Sequence, residues 1–324
     1  MTKRQDETEE HSFDELTRAV ADGTFTRRRM LKFTGGAFLG GALSTAFPGM
    51  AEARRRGRQN NKHQRSNFGY DPTVDEPVAI TSPPTIDVLP SWAVVHLFAL
   101  PPVGSQHTPN CAAWSSTYGL ATYTAALAGN YAPIQPSQQA SSAYIYIQVM
   151  QQNGVPQNTC QGSQLTSYFH ILAQGGTPTM EEAPYVPNCS SLWTAYGSQN
   201  LQPDSAFTIN SVAAVNAKEN PDDVKQVIAS GGALAYGTSL YTDFPHYNGD
   251  KVPYTGNGTI LINPKIGKPD GHCMLIIGYD DNLGGGAFLI QNSFGSDWGS
   301  NGFIWMAYET FTTLAQGAAF YVNS

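Results

Sequence analysis

The stretch Gln-His-Thr-Pro-Asn-Cys-Ala-Ala-Trp-Ser-Ser, Gln106 to Ser116, sets a single cysteine, Cys111, directly ahead of an alanine-rich run. A cysteine in the first turn of a helix feels the partial positive charge of the helix N-terminus, which favours thiolate over thiol. That is half of an activated nucleophile. The other half is an imidazole that pairs with the thiolate and later protonates the leaving group, with a third side chain orienting the ring. Of the seven histidines, His272 alone opens a continuous apolar run, Cys273 to Tyr279, that a strand would hold rigidly.

These residues need elements to carry them. From Cys111 to Gly129 the chain is rich in alanine, with Leu120, Tyr123 and Leu127 on one face, and predicts a mostly buried helix ending at Gly129-Asn130. A second helix is expected after Pro136 and a third from Gln164 to Ala173. Asn220-Pro221-Asp222-Asp223 supplies an N-cap, a first-turn proline and two acids for a fourth, which stops near Gly231-Gly232. Beyond that point short apolar runs at 233–238, 259–262, 274–279, 287–290, 303–306 and 319–322 alternate with Gly, Asn and Asp, the pattern of strands at hairpin spacing. A helical half followed by an antiparallel half is an α+β architecture, and the cleft between the halves is the natural place for a site.

The segment Gln291-Asn-Ser-Phe-Gly-Ser-Asp-Trp-Gly-Ser-Asn-Gly-Phe303 follows the run expected to pair with the strand of His272. It closely resembles the papain-like cysteine peptidases, whose corresponding stretch reads Asn-Ser-Trp-Gly, a Trp-Gly, then Asn-Gly-Tyr or Phe. The family order Gln, Cys, His, Asn is met here by Gln106, Cys111, His272 and Asn292, over a resemblance running from about Leu89 to the C-terminus. Leu89-Pro90-Ser91 and Leu100-Pro-Pro-Val103 are similar to the entry strand of bacterial members. Cys160-Gln-Gly-Ser163 is similar to the family's Cys-x-Gly-Gly, and Glu182-Ala-Pro-Tyr185 stands where it has Tyr-Pro-Tyr.

The resemblance implies a two-lobe fold, helical over about 105–205 and β-barrel-like over about 206–324. It implies that Cys111 attacks a peptide carbonyl to give a thioester and that His272 is its ion-pair partner and general acid. Asn292 would hold the ring, while the Cys111 N–H and the Gln106 side chain form the oxyanion hole. Gly162, Ser163 and Gly271 would meet the substrate, as would Trp298, which with Phe294 would also shield the His–Asn contact. No cofactor or metal is implied. The family's usual C-G-[SA]-C-[WY] around the nucleophile is here Thr-Pro-Asn-Cys-Ala, and Gln106 precedes Cys111 by five residues where six is usual. The cysteine that normally bridges to Cys160 is replaced by Thr108, so the resemblance implies a Cys160–Cys189 bridge. Cys273 reads as a buried apolar filler. The altered loop leaves two other readings open, an impaired papain-like binding module and an amidase or acyl transferase using the same thiol chemistry.

The rest of the chain bears on location and partners. Residues 1–53 carry Thr26-Arg-Arg-Arg-Met-Leu-Lys32, a short Gly-rich apolar run and Ala51-Glu-Ala53, the pattern of a twin-arginine-type export signal and too short a run for a comfortable membrane span. The expected location is periplasmic or extracellular, with no stable membrane span after signal removal. Residues 54–88 read as a linker, basic at Arg54 to Arg65 and then proline-rich. About 35 residues separate Ala53 from Leu89, too few for the folded helical propeptide that many family members carry. The catalytic domain is expected over 89–324. From Ser66 onward there are five lysines, no arginine and 17 acidic residues, a net charge of −12, which argues against nucleic acid as a partner and leaves a protein or peptide substrate.

Overall fold

The computed structural model describes residues 68–74, 78–198, 207–209 and 211–323. The expected export signal and the basic segment 54–65 lie outside the described residues.

The first long element, α1, starts at Cys111. It runs through Cys111–Ala113, a wider π-helical stretch Trp114–Ala121 and Thr122–Ala128, ending at Gly129 as expected. Gly119 explains part of the local geometry. A Cβ there would lie 3.3 Å from Leu275 and 3.2 Å from the Trp114 carbonyl, so glycine lets the helix lie directly on the sheet. Helices α2 (Ser142–Gln152), α3 (Leu165–Gln174) and α4 (Cys189–Tyr196) complete the helical side, α2 capped by Ser141 and α4 by Asn188. Strand β1 (Trp92–Val94) precedes them.

The second half brings β2 (Val212–Asn216), α5 (Pro221–Ala229), β3 (Leu234–Ser239), the short β4 (Ile262–Asn263) and β5 (Lys268–Pro269), β6 (Gly271–Asp280), β7 (Ala287–Gln291), β8 (Phe303–Ala307), α6 (Tyr308–Leu314) and β9 (Ala315–Val322). α5 starts at Pro221 with Asp222 and Asp223 in its first turn, as the sequence predicts. The main sheet is antiparallel in the order β2-β9-β3-β6-β7-β8, with β1 added to the far end of β6. The chain is α+β, as expected, and its β half is barrel-like only in a loose sense: the described strands form a sheet that ends at β2 and β8 without closing. All ten residues of β6 are buried, because α1 covers one face and it pairs along both edges. The expected strand at 259–262 is reduced to β4, whose residues are partly exposed and pair only with β5.

Cys160 and Cys189 form a disulfide, Cα atoms 5.8 Å apart, tying the loop before α3 to the start of α4. Closing a 29-residue separation restricts the unfolded chain by roughly 3–4 kcal/mol. Cys160→Ala with Cys189→Ala is therefore expected to lower unfolding free energy by about 3 kcal/mol in denaturant titrations; an unchanged midpoint would mean the bridge adds nothing.

Candidate active site

Cys111 is the first residue of α1, where the leading helical N–H groups have no carbonyl partners within the helix. His272 is the second residue of β6, register partner of Thr238 on β3, and fully buried. Asn292 follows β7 and is fixed by its own N–H to the Gly302 carbonyl, 2.9 Å. A helix start and two neighbouring strands thus bring together residues separated by up to 181 positions.

His272 Nε2 lies 2.7 Å from Asn292 Oδ1, and the Ser293 N–H donates to the same oxygen at 2.7 Å. The carbonyl end of the amide therefore faces the ring, Nε2 carries the proton, and Nδ1 is the nitrogen left to face Cys111. Burial alone would push the Cys111 thiol up. The neighbouring side chains of Cys273 and His272, with the charge on His272, hold it well below the ordinary thiol range, although His272 Nδ1 itself makes no hydrogen bond in this structure. Cys273, read from the sequence as filler, is buried and lies beside Cys111.

Gln106 is also tied in. Its N–H donates to the Ser293 carbonyl at 2.8 Å, its Oε1 accepts from Ser293 Oγ at 2.6 Å, and its Nε2 reaches the Thr108 carbonyl at 3.3 Å. Ser105 and Phe294 bridge alongside, so the loop before Cys111 and the loop after Asn292 are one unit. With Oε1 held by Ser293, the amide presents its NH2 end as the donor. Aromatic rings surround the imidazole. Phe294 lies 4.5 Å from it, centroid to centroid, with Phe244 at 6.2 Å. Trp298 packs on Phe294 and Phe244, with ring centroids 5.7 and 4.9 Å away, and donates from Nε1 to the Phe244 carbonyl at 3.1 Å. Phe244 was not singled out from the sequence, where it is one aromatic residue in a proline-containing turn.

The cleft is filled by the chain itself. Residues 68–72, read as linker, include buried Phe68, Gly69, Tyr70 and Pro72. The Phe68 ring packs 5.7 Å from His272 and 5.7 Å from Phe294. The Gly69 carbonyl accepts from the Ser163 N–H at 2.9 Å, and a Cβ on Gly162 would come within 2.7 Å of it. The Tyr70 N–H donates to the Gly271 carbonyl at 3.4 Å, and Gln164 Nε2 donates to the Asp71 carbonyl at 3.1 Å. Gly162, Ser163 and Gly271, expected from the resemblance to meet a substrate, here lie against an internal extended backbone.

A sequence model described as "Papain family cysteine protease" matches residues 109–321, about two thirds of the chain. Among curated relatives, Cathepsin B-like CP3 of Giardia intestinalis is 26% identical over 154 residues, and fruit bromelain of Ananas comosus 26% over 150. The aligned part is 45% of this chain and 46% of the Giardia protein, and 46% and 38% for bromelain, so the match spans about half or less of those relatives. Xylellain, a cysteine protease from Xylella fastidiosa, superposes with a TM-score of 0.58 at 20% identity, covering 82% of this chain and 99% of that one. ProCathepsin B S9 of Trypanosoma congolense gives 0.54 at 14%, covering 80% and 86%. These structures speak to the fold. With two thirds of its residues matched to the family, including the start of α1, β6, β7 and the loops that follow them, the chain belongs to the papain family of cysteine proteases.

Proposed function

We propose that the protein is an exported cysteine peptidase that hydrolyses peptide bonds through a thioester on Cys111. The single observation that carries this is the geometry at His272, whose Nε2 lies 2.7 Å from the Asn292 carbonyl oxygen and whose buried Nδ1 is left without a hydrogen-bond partner beside Cys111. Cys111 attacks the carbonyl and its own N–H with the Gln106 amide stabilises the oxyanion. His272 then protonates the leaving amine and activates the water that releases the acyl group. Export rests on the arginine-rich leader pattern, and the Cys160–Cys189 disulfide suits an oxidising compartment. Among the described residues no helix is long and apolar enough to cross a membrane. Residues 68–72 fill the cleft, so a substrate gains access only when they leave it.

The test is the pH dependence of Cys111 alkylation by iodoacetamide, followed by mass spectrometry on the full chain. The reactive species is the thiolate. A thiol held low by His272 stays reactive as pH falls through the ordinary cysteine range near 8.5, and the rate drops only below its own depressed value. Closure of the cleft slows the reaction at every pH without moving its midpoint. A midpoint near 8.5 would overturn the activated-nucleophile reading and favour an impaired binding module.

A further inference from the structure

Two buried donors at the edge of the site have no protein partner. The Asn292 amide commits its Oδ1 to His272 Nε2 and to the Ser293 N–H, but its Nδ2 meets no acceptor. The indole Nε1 of Trp114 meets none either. Asn292 is 3% exposed and Trp114 5%, so bulk solvent satisfies neither donor. Buried donors in this state are uncommon in folded proteins, and each calls for an explanation. Both residues line one cavity of about 20 Å³ between α1 and the end of β7. A cavity needs roughly 10–15 Å³ to hold one water, and the water needs two to four polar partners.

We infer that this cavity binds one water that bridges Trp114 Nε1 and Asn292 Nδ2, and that Trp114 is thereby a positioning residue for the Cys111–His272 pair; the positioning role rests on the peptidase reading above. The donor set selects the occupant. An indole N–H and an amide NH2 can only donate, so whatever they hold must accept twice. Ser115 and Tyr118 line the same cavity. Their hydroxyls donate to the Ala112 carbonyl at 3.4 Å and the Pro102 carbonyl at 2.8 Å, and so keep lone pairs that can accept in turn. Water, which accepts two hydrogen bonds and donates two, matches this lining. No lining residue is cationic, which disfavours a halide ion.

The bridge joins the two halves of the site. Trp114 stands one turn after Cys111 on α1, and Asn292 holds the ring that faces Cys111. The indole is a firm anchor. Its ring lies against Gly104, where a Cβ would run into it, and packs edge-on against Tyr118 and Tyr185 with centroids 4.8 and 5.0 Å away. Trp114 also opens the π-helical stretch of α1, a helical form frequent at functional sites. With Nδ2 held from α1, the Asn292 amide resists rotation and Oδ1 stays on His272. A bridging water does this nearly as well as a direct hydrogen bond.

The experiment uses the full chain and has two readouts. The first is NMR transfer from water to the indole N–H protons, with the Trp114 signal identified by its loss in Trp114→Phe. A cross-peak from a long-lived water at Trp114 is expected; its absence overturns the water site. The second is the pH midpoint of Cys111 alkylation by iodoacetamide. Trp114→Phe keeps an apolar ring and removes the donor, so the amide turns more freely, the imidazole is less well placed and the thiolate loses stabilisation. Losing one neutral hydrogen bond commonly shifts an equilibrium about fivefold, so the midpoint is expected to rise by about 0.7 pH unit. A ring that serves packing alone would lower the melting temperature and leave the midpoint in place, which overturns the positioning role. Ser115→Ala removes an acceptor for the same water and serves if melting finds the phenylalanine variant unfolded; a smaller rise is expected there, and no rise overturns the role. A midpoint near 8.5 already in the unaltered chain overturns the peptidase reading and the positioning role with it, while the NMR transfer still decides the water site.

Discussion

His272→Ala is expected to lower kcat/KM by at least about 1,000-fold and to move the pH midpoint of Cys111 alkylation up towards that of an ordinary thiol. General acid–base catalysis by one positioned group is commonly worth about 100- to 10,000-fold. On the proposed mechanism His272 serves twice, first as the partner that holds the thiolate and then as the acid for the leaving amine. The buried sulfur gives the second readout its sign. Burial pushes the Cys111 thiol up, and the depression comes from Cys273 and His272 together, so removing the imidazole leaves desolvation opposed by Cys273 alone. Asn292→Ala should fall in between, because the ring remains but loses the 2.7 Å contact that fixes its tautomer. An alanine variant of His272 that kept activity within tenfold and left the alkylation midpoint in place would mean that another group activates Cys111.

What the sequence makes legible divides along physical lines. β3, β6, β7 and β8 are continuous apolar runs bounded by glycine and polar turns, and each falls within a few residues of its expected place because burial on both sides demands that pattern. α4 and α6 have eight and seven residues, too short for helical periodicity to emerge, and they are held by what they pack on: Trp193 and Leu192 of α4 are buried, as is Phe311 of α6. The π-helical stretch in α1 has no local signal except Gly119, whose role depends on Leu275 of β6.

The site divides in the same way. Cys111, His272 and Asn292 are readable because their chemistry and the motif around Asn292 are local to each residue. Phe68, Gly69 and Tyr70 sit in a proline-rich, sparsely apolar neighbourhood that reads as a tether, and the recess that holds the Tyr70 ring is made by Gly237 and Gly271, about 170 and 200 positions further along. A missing side chain carries no periodicity. The two glycines are visible in the sequence, but the ring they accommodate is not.

Tyr70→Ala in the full chain is expected to lower the apparent KM for a peptide substrate by roughly 30- to 100-fold while leaving kcat within about twofold. Residues 68–72 compete with substrate for the same backbone groups, the Ser163 N–H and the Gly271 carbonyl. An internal competitor reduces the competent fraction, and the apparent affinity falls by that fraction, whereas saturating substrate still reaches the full rate. Burying one aromatic ring contributes about 2–3 kcal/mol, which sets the size of the shift. Gly69→Val gives an independent route to the same end, because a side chain there would run into the Pro109 carbonyl. Polarity explains why the segment can stay uncut. Phe68 lies on the leaving-group side at His272 and Tyr70 on the acyl side at Gly271, so the backbone passes Cys111 backwards, with each carbonyl carbon bonded on the wrong side to the nitrogen that His272 would protonate. The two variants should therefore open the cleft by releasing an intact segment, and intact mass should find the chain uncut between Phe68 and Pro72. A KM unchanged in both variants would mean that the segment does not compete for the cleft in solution, whereas cleavage inside 68–72 in the unaltered chain would refute the reversed polarity.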